Sequence, residues 1–252
     1  MGKTLQIIIL LIMLNFVMKN CFGEVLFTKS KLIVMLTCND RTFKDARKVF
    51  YECYDLPIEY WGFKNTGISE DEMCKLIADM HKAGKKTFFE TITYTRKSCL
   101  DSARFACEHK FDYLLGTLYF PSVWNYIKTQ TIKYYPFIGN VSGIPSVLSG
   151  SVDSILTEID GFYENKIHGV DLLAYRHSSE NPIQFAQNII ANSKLNIIVA
   201  GNIDSIERIK AISLLNPWGF TIGGALYTQN FISGAGYRAN LEKVIEIMEG
   251  NS

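Results

Sequence analysis

The chain has 252 residues, 48% of them hydrophobic, with 26 Lys and Arg against 25 Asp and Glu. This length and apolar content suit one domain of about 250 residues with a full core. The formal net charge of +1 leaves no broad basic face for nucleic-acid phosphates, so we expect no nucleic-acid partner.

The chain begins with an apolar segment. Leu5–Met18 is a nearly unbroken hydrophobic run, and Cys21–Gly23 resembles a signal-peptidase site. The run is short for a transmembrane helix, so we expect no stable membrane insertion. Three interpretations stay open: an upstream extension of a protein that starts at Met18, a signal or anchor, and a helix that plugs the domain. We therefore separate 1–23 from a folded domain at 24–252, and expect a cytoplasmic protein unless the first segment is translated.

From Lys31 onward, short apolar runs alternate with amphipathic stretches, which is typical of repeated βα units around a parallel sheet. The predicted strands are Leu32–Thr37, Tyr60–Lys64, Thr87–Thr91, Tyr113–Thr117, Tyr134–Ile138, Gly169–Tyr175, Asn196–Ala200 and Gly219–Ile222. The predicted helices are Thr42–Cys53, Ser69–Ala83, Arg96–His109, Ser122–Thr129, Ser151–Glu164, Pro182–Asn192, Ser205–Leu215 and Tyr237–Met248.

Such a succession closes most economically into a barrel, so the sequence predicts an α/β fold with a single (β/α)8 TIM barrel. An open doubly wound sheet is the alternative, but no glycine fingerprint follows the first strand. In a barrel, functional residues lie at the carboxyl ends of the strands. The polar residues at those positions are therefore the candidates for a site.

The first three strands supply the candidate catalytic residues Asp40, Lys64 and Glu90. Glu90 follows Phe88 and Phe89, so it is partly desolvated and suited to proton transfer, or else it forms an ion pair with Lys64. Lys64 is a candidate cation for an enediolate oxygen or, less favoured, an amine for a Schiff base. Asp40 is a second proton-transfer candidate, but the sequence favours it slightly as the cap of the helix near Thr42.

The sixth strand ends in Arg176 and His177. The guanidinium of Arg176 suits a carboxylate or phosphate of a ligand, or a salt bridge with Glu180 at the rim. We expect His177 to be a hydrogen-bonded surface residue and Asp171, near the start of the strand, to be structural. Between the fifth strand and its helix, the long Gly-, Ser- and Pro-rich stretch up to Leu148 predicts either a lid or a surface excursion.

The last two strands each end in glycine. Gly201 follows the seventh strand, and Gly223 and Gly224 follow the eighth. Glycine permits tight turns, and it also allows backbone N–H groups to approach an anion. Because both turns occur where barrels commonly bind phosphate, we predict a phosphate site here. Asn39, Arg176, Asn202 and Ser205 are the further substrate-binding candidates.

The segments 200–205 and 221–226 resemble the phosphate-binding half of the ribulose-phosphate-binding barrels, a superfamily that includes phosphosugar epimerases, isomerases, decarboxylases and aldolases. The resemblance implies backbone phosphate contacts at Gly201, Gly223 and Gly224. It identifies no reaction, because no catalytic signature of one member is present.

The sequence therefore predicts an isomerase, epimerase or lyase that acts on a phosphosugar or another small phosphate ester. A non-catalytic phosphometabolite-binding barrel is the alternative from another class, and a phosphoribosyltransferase-like barrel, which needs a basic cluster, ranks last. We expect no cofactor and no protein-bound metal beyond a loosely held Mg²⁺, because no metal-ligand spacing occurs. The six cysteines form no C-x-x-C pair, so we expect neither disulfides nor zinc. Aromatic residues around Trp124 indicate either helix packing or a homodimer interface.

Overall fold

The computed structural model describes residues 30–250, and the apolar segment and Cys21 lie outside them. Its main sheet contains eight parallel strands in the order β10-β11-β12-β1-β4-β5-β6-β7. These strands are β1 (Lys31–Met35), β4 (Tyr60–Lys64), β5 (Lys86–Thr93), β6 (Tyr113–Thr117), β7 (Lys133–Tyr135), β10 (Gly169–Leu172), β11 (Asn196–Val199) and β12 (Gly219–Ile222). The two edges meet at a parallel bridge between Phe137 and Asp171. The predicted TIM barrel is thus confirmed.

Helices cover the outside of the barrel. They are Ala46–Cys53, Glu70–Lys82, Arg96–Glu108, Pro121–Ile127, Val152–Glu164, Pro182–Asn192, Ile206–Leu215, Gly224–Tyr227 and Gly236–Glu249. Local signals in the sequence explain several starts. Ser69 forms a capping box with Glu72, Asn181 accepts from the N–H groups of Ile183 and Gln184, and Ser205 begins the helix that follows it.

The barrel interior is filled by a compact aromatic and aliphatic cluster, separate from the larger core between strands and helices. The rings of Phe88 and Tyr113 stack with centroids 4.1 Å apart, and Trp218 packs against the same group. Because side chains alternate along a strand, Glu90 points to the same side of β5 as Phe88. The interior cluster therefore lies one layer below the carboxyl end of the barrel.

Two short antiparallel hairpins were not predicted. The first pairs β2 (Thr37–Cys38) with β3 (Arg41–Thr42), and the second pairs β8 (Asn140–Ser142) with β9 (Val147–Ser149). As a result, the first helix starts at Ala46 rather than at Thr42, as the sequence had predicted. The hydroxyl of Thr42 donates to the Lys64 carbonyl and accepts from the Lys64 N–H, so Thr42 is held to β4 instead of entering a helix.

Within residues 30–250, no helix is both long and apolar enough to cross a bilayer. The cysteines at 38, 53, 74, 99 and 107 are free thiols. Trp124 is buried and Tyr126 is partly buried against the main core, which agrees with helix packing and does not test a dimer.

Candidate active site

A cavity of about 590 Å³ opens at the carboxyl ends of the strands. Lys64, at the end of β4, and Glu90, on β5, are direct neighbours in the register of the two strands. Only 5% of Lys64 and 6% of Glu90 is exposed, although both line the cavity. The cavity therefore has a buried ion pair in its wall.

Four side chains form an ionic chain, which we define as Arg176, Asp40, Lys64 and Glu90. The Nζ of Lys64 lies 2.9 Å from the carboxylates of both Asp40 and Glu90. Arg176 donates from both terminal nitrogens to Asp40, at 2.9 and 3.0 Å. The ionic chain joins residues from the first, second, third and sixth βα units, so the closed barrel brings together groups that are far apart in sequence.

Asp40 reaches this position through the first hairpin. Asn39 and Asp40 form its two-residue turn with φ of 50° and 57°, the left-handed pair of a type I′ turn. The sequence-based preference for Asp40 as a helix cap was wrong, because its carboxylate is engaged by Lys64 and Arg176. The alternative salt bridge between Arg176 and Glu180 was also wrong, since Arg176 pairs with Asp40. Asn and Asp both tolerate the left-handed conformation of a type I′ turn, so these two residues could have indicated the turn.

The ionic chain fixes the charge states of its central members. Burial alone would raise the pKa of Asp40, but the hydrogen bonds from Arg176 and the charge of Lys64 outweigh it and lower the pKa to about 2. Burial opposes the charged form of Lys64, yet Glu90 and Asp40 together raise its pKa. Lys64 is therefore held as a cation, which suits an oxyanion and does not suit a Schiff base, a reaction that needs the neutral amine.

A further carboxyl group, Asp171 on β10, lies in the same region. It is fully buried, and neither of its side-chain oxygens has a hydrogen-bond partner. Burial and the charge of Glu90 raise its pKa well above the usual value, against the opposing effects of Lys64 and Arg176. The protonated form of Asp171 is therefore favoured by its surroundings. Sequence position alone assigned it a structural role and gave no sign of its proximity to the ionic chain.

The two glycine turns lie on another side of the cavity. Gly201 and Asn202 are consecutive left-handed residues with φ of 78° and 54°, and a Cβ at Gly201 would lie 2.6 Å from Nε of Arg176. Gly223 and Gly224 also line the cavity, and Gly224 begins the short helix after β12. The first N–H groups of a helix lack partners within the helix and suit an anion. Ser205 differs from the expectation, because its hydroxyl caps the N–H of Arg208 and it does not line the cavity.

The second hairpin covers part of the cavity. Pro145, Ser146 and Val147 contribute to its lining. The hydroxyl of Tyr94 donates to the Gly143 carbonyl at 2.7 Å and lies 2.8 Å from the Ser146 hydroxyl. The predicted long segment after the fifth strand is therefore an ordered wall of the cavity.

His177 contacts the base of this hairpin. Its Nε2 donates to the Gly150 carbonyl, and its Nδ1 accepts from the N–H groups of Ser179 and Glu180. His177 also lines the cavity, so it is more than the surface residue that we expected.

Two features limit the chemistry at this site. Among the residues that the structure describes, no group of three or more His, Cys, Asp or Glu is arranged to hold a metal ion. Arg96 and Lys97, which a phosphoribosyltransferase-like site would use, begin a helix and do not line the cavity. The lining residues in the described part of the chain therefore include no basic cluster of the kind that pyrophosphate requires.

No protein-family model matches the sequence, and no curated protein shows significant sequence similarity to it. Solved structures do match. Orotidine 5′-phosphate decarboxylase from Pyrococcus horikoshii superposes with a TM-score of 0.64 at 12% identity, covering 87% of this chain and 99% of that one. The tryptophan synthase alpha chain from Legionella pneumophila superposes with a TM-score of 0.61 at 12% identity, over 88% of this chain and 92% of that one.

The N-acetylmannosamine-6-phosphate 2-epimerase from Clostridium perfringens also matches, with a TM-score of 0.57 at 11% identity over 81% of this chain and 91% of that one. These matches show that the chain has the (β/α)8 barrel fold of these proteins. The resemblance inferred from the two glycine segments is thus confirmed at the level of the fold alone. At these identities a shared fold fixes neither the substrate nor the catalytic residues.

Proposed function

We propose that this protein is an enzyme that moves a proton at a carbon beside a carbonyl in a phosphorylated small molecule, as an isomerase, epimerase or lyase. The contact between Lys64 and Glu90, in the wall of a cavity that also contains two glycine turns, carries the proposal. A carboxylate paired with a buried cation is the minimal arrangement for removing a proton and stabilising the oxyanion that results.

In this mechanism the phosphate binds the backbone at Gly201, Asn202, Gly223 and Gly224, which holds the remainder of the substrate at the ionic chain. Glu90 accepts the proton from carbon, and the electron pair moves to the carbonyl oxygen. Lys64 stabilises that oxygen without giving up its own proton. Asp40 keeps Lys64 and Arg176 in place and is a positioning residue, because its carboxylate is occupied by both cations.

The structural neighbours support a phosphate-ester substrate. The names of the decarboxylase and the epimerase each include a phosphate monoester, orotidine 5′-phosphate and N-acetylmannosamine 6-phosphate. These two proteins share the fold at 12% and 11% identity, so they indicate a class of ligand and no particular reaction. No cofactor is needed for the proposed step, because Lys64 and Glu90 supply the cation and the base.

The test is hydrogen exchange with solvent. The protein is incubated in D₂O with aldose and ketose phosphates, and proton NMR follows the loss of carbon-bound hydrogen next to the carbonyl. We expect exchange with the wild type and a decrease of about 100-fold or more in Glu90→Gln, because a positioned base contributes roughly 10² to 10⁴ to rate. Binding of the same ligand, measured by thermal shift, stays within about three-fold of the wild type because the phosphate site is intact.

Glu180→Gln is the matched control, since it neutralises an exposed carboxylate four residues after Arg176. It should exchange at the wild-type rate. Full exchange in Glu90→Gln would remove Glu90 from the mechanism. Ligand binding by the wild type with no exchange and no turnover would instead identify a non-catalytic phosphometabolite-binding barrel.

A further inference from the structure

The charges that line the cavity balance one another. Its cationic side chains, among the residues that the structure describes, are Lys64 and Arg176, and both are in contact with Asp40. Lys64 also contacts Glu90. The ionic chain thus contains two positive and two negative groups, with no positive charge left over for a ligand.

The other ionisable groups that line the cavity add no positive charge that could attract an anion. Asp204 is negative and pairs with Arg208, which does not line the cavity. Both ring nitrogens of His177 are already engaged by the backbone, Nδ1 by the N–H groups of Ser179 and Glu180 and Nε2 by the Gly150 carbonyl. Asp171 is fully buried and does not line the cavity, so it cannot contact a ligand there.

A ligand phosphate can still bind at the glycine turns, where uncharged backbone N–H groups supply the hydrogen bonds. A second anionic group at the other end of the ligand would meet Asp40 and Glu90 with no free counter-charge. A desolvated charge without a partner is strongly unfavourable, and a like charge beside it adds to the cost. The balance of the ionic chain therefore discriminates among phosphorylated ligands.

We infer that the substrate is a phosphate monoester whose reacting end is uncharged, such as an aldose, ketose or N-acetylated amino-sugar phosphate, and that sugar-acid phosphates and bisphosphates are rejected. This inference rests on the proposed function and deepens it by naming the substrate class. It separates the chain from barrels whose ligands carry both a phosphate and a carboxylate, a distinction that the shared fold does not make.

Binding to matched ligands tests the inference. Glucose 6-phosphate, N-acetylglucosamine 6-phosphate, 6-phosphogluconate and fructose 1,6-bisphosphate share a terminal phosphate, and only the last two carry a charge at the other end. We expect calorimetry with the full chain to give dissociation constants at least about ten-fold weaker for the last two ligands than for the tightest of the first two. If 6-phosphogluconate or the bisphosphate binds as tightly, the inference fails and the proposed function stands. If no phosphate ester binds, both fail.

Changing one acid of the ionic chain should shift this selectivity in a predictable direction. Asp40→Asn leaves the guanidinium of Arg176 without its carboxylate, so the preference for the neutral ligand over 6-phosphogluconate should fall by about ten-fold or more. Glu90→Gln makes the same charge change at the other end of the chain and should act in the same direction if Asp40→Asn does not fold. Glu180→Gln, with the same charge change at an exposed position, should keep the wild-type ratio. If Asp40→Asn and Glu90→Gln both fold and neither changes the ratio of the two dissociation constants, the inference is overturned.

Discussion

At the scale of single residues, the adjacent glycines Gly223 and Gly224 have different physical roles. A Cβ at Gly223 would lie 2.5 Å from the Thr37 hydroxyl and 3.0 Å from the Met35 carbonyl, so a side chain there disturbs β1. A Cβ at Gly224 would meet nothing within 4 Å. Gly224 is therefore the position at which a charge can be introduced into the proposed phosphate site with little effect on the barrel.

We predict that Gly224→Asp abolishes phosphate-dependent stabilisation while the ligand-free protein keeps a melting temperature close to that of the wild type. The introduced carboxylate repels the phosphate, yet an acidic residue in the first turn of a helix is otherwise favourable. Thermal shift with a sugar phosphate and with its unphosphorylated counterpart measures the effect. Gly224→Ala is the control and should retain most of the shift. If Gly224→Asp responds to the phosphate as the wild type does, the phosphate binds elsewhere.

Part of this site could be predicted from the sequence, because the signals that mark it lie within single strands. Lys64 ends a predicted strand and Glu90 is the last residue but one of the next, so strand alternation and the barrel rule were enough to bring them to one end. Their pairing was one of two interpretations that the sequence left open. The contact of Asp40 with Arg176 joins residues that are 136 apart in sequence, and the position of Asp171 depends on closure of the sheet at its bridge with Phe137. No local pattern encodes either one.

At the scale of elements, regular strands were predicted better than the segments that leave the barrel. Tyr60–Lys64, Tyr113–Thr117 and Gly219–Ile222 have the predicted bounds, because apolar runs and turn residues mark them. The fifth strand is shorter than predicted: it ends at Tyr135, and Phe137 pairs only through an isolated bridge with Asp171. Both hairpins were missed because each is two or three residues per strand, too short for a periodic signal.

The second hairpin is held over the cavity by a side chain from another loop, since Tyr94 contacts Gly143 and Ser146. We predict that Tyr94→Phe raises the Kd of a sugar phosphate by about five-fold, because a hydrogen bond of this kind contributes about 1 kcal/mol. The melting temperature should change little, since the barrel itself is unaffected.

Calorimetric titration of Tyr94→Phe measures this effect, and Tyr163→Phe, at an exposed position, is the control. An unchanged Kd in Tyr94→Phe would mean that the hairpin keeps its position without the tyrosine hydroxyl, and that the contacts of His177 and Ser178 with the chain around β9 are sufficient.

At the scale of the whole molecule, closure of the barrel places an acid where folding disfavours its ionisation. Asp171 is on β10, and its backbone accepts from Ile138 N–H and donates to the Pro136 carbonyl, so it lies at the closing seam. Its pKa in the folded protein is raised well above the usual value by burial and by the charge of Glu90. The unfolded chain releases this proton near pH 4, whereas the folded protein retains it.

The sign of the effect on stability follows from the difference in bound protons. Above about pH 4 the unfolded state binds fewer protons at Asp171 than the folded state, so the free energy of unfolding falls as pH rises toward the folded pKa. Asp40 affects the free energy of unfolding in the opposite sense and over a lower range of pH. Its pKa of about 2 gives stability that is present above about pH 4 and is lost as pH falls toward 2. Above about pH 4, therefore, Asp171 is the member of this pair through which the free energy of unfolding still depends on pH.

We predict that Asp171→Asn raises the free energy of unfolding at pH 7.5 by about 1 kcal/mol or more, because each unit of pKa shift corresponds to about 1.4 kcal/mol and the amide has no proton to lose. The gain should shrink as pH falls to about 4, where the unfolded chain begins to bind the same proton. Urea unfolding at the two pH values measures it, with Asp45→Asn as an exposed control that should show no pH-dependent gain. A loss of stability that is equal at both pH values would mean that Asp171 is ionised in the folded barrel and held there by Lys64 and Arg176. The cavity would then carry one more negative charge than the ionic chain alone provides.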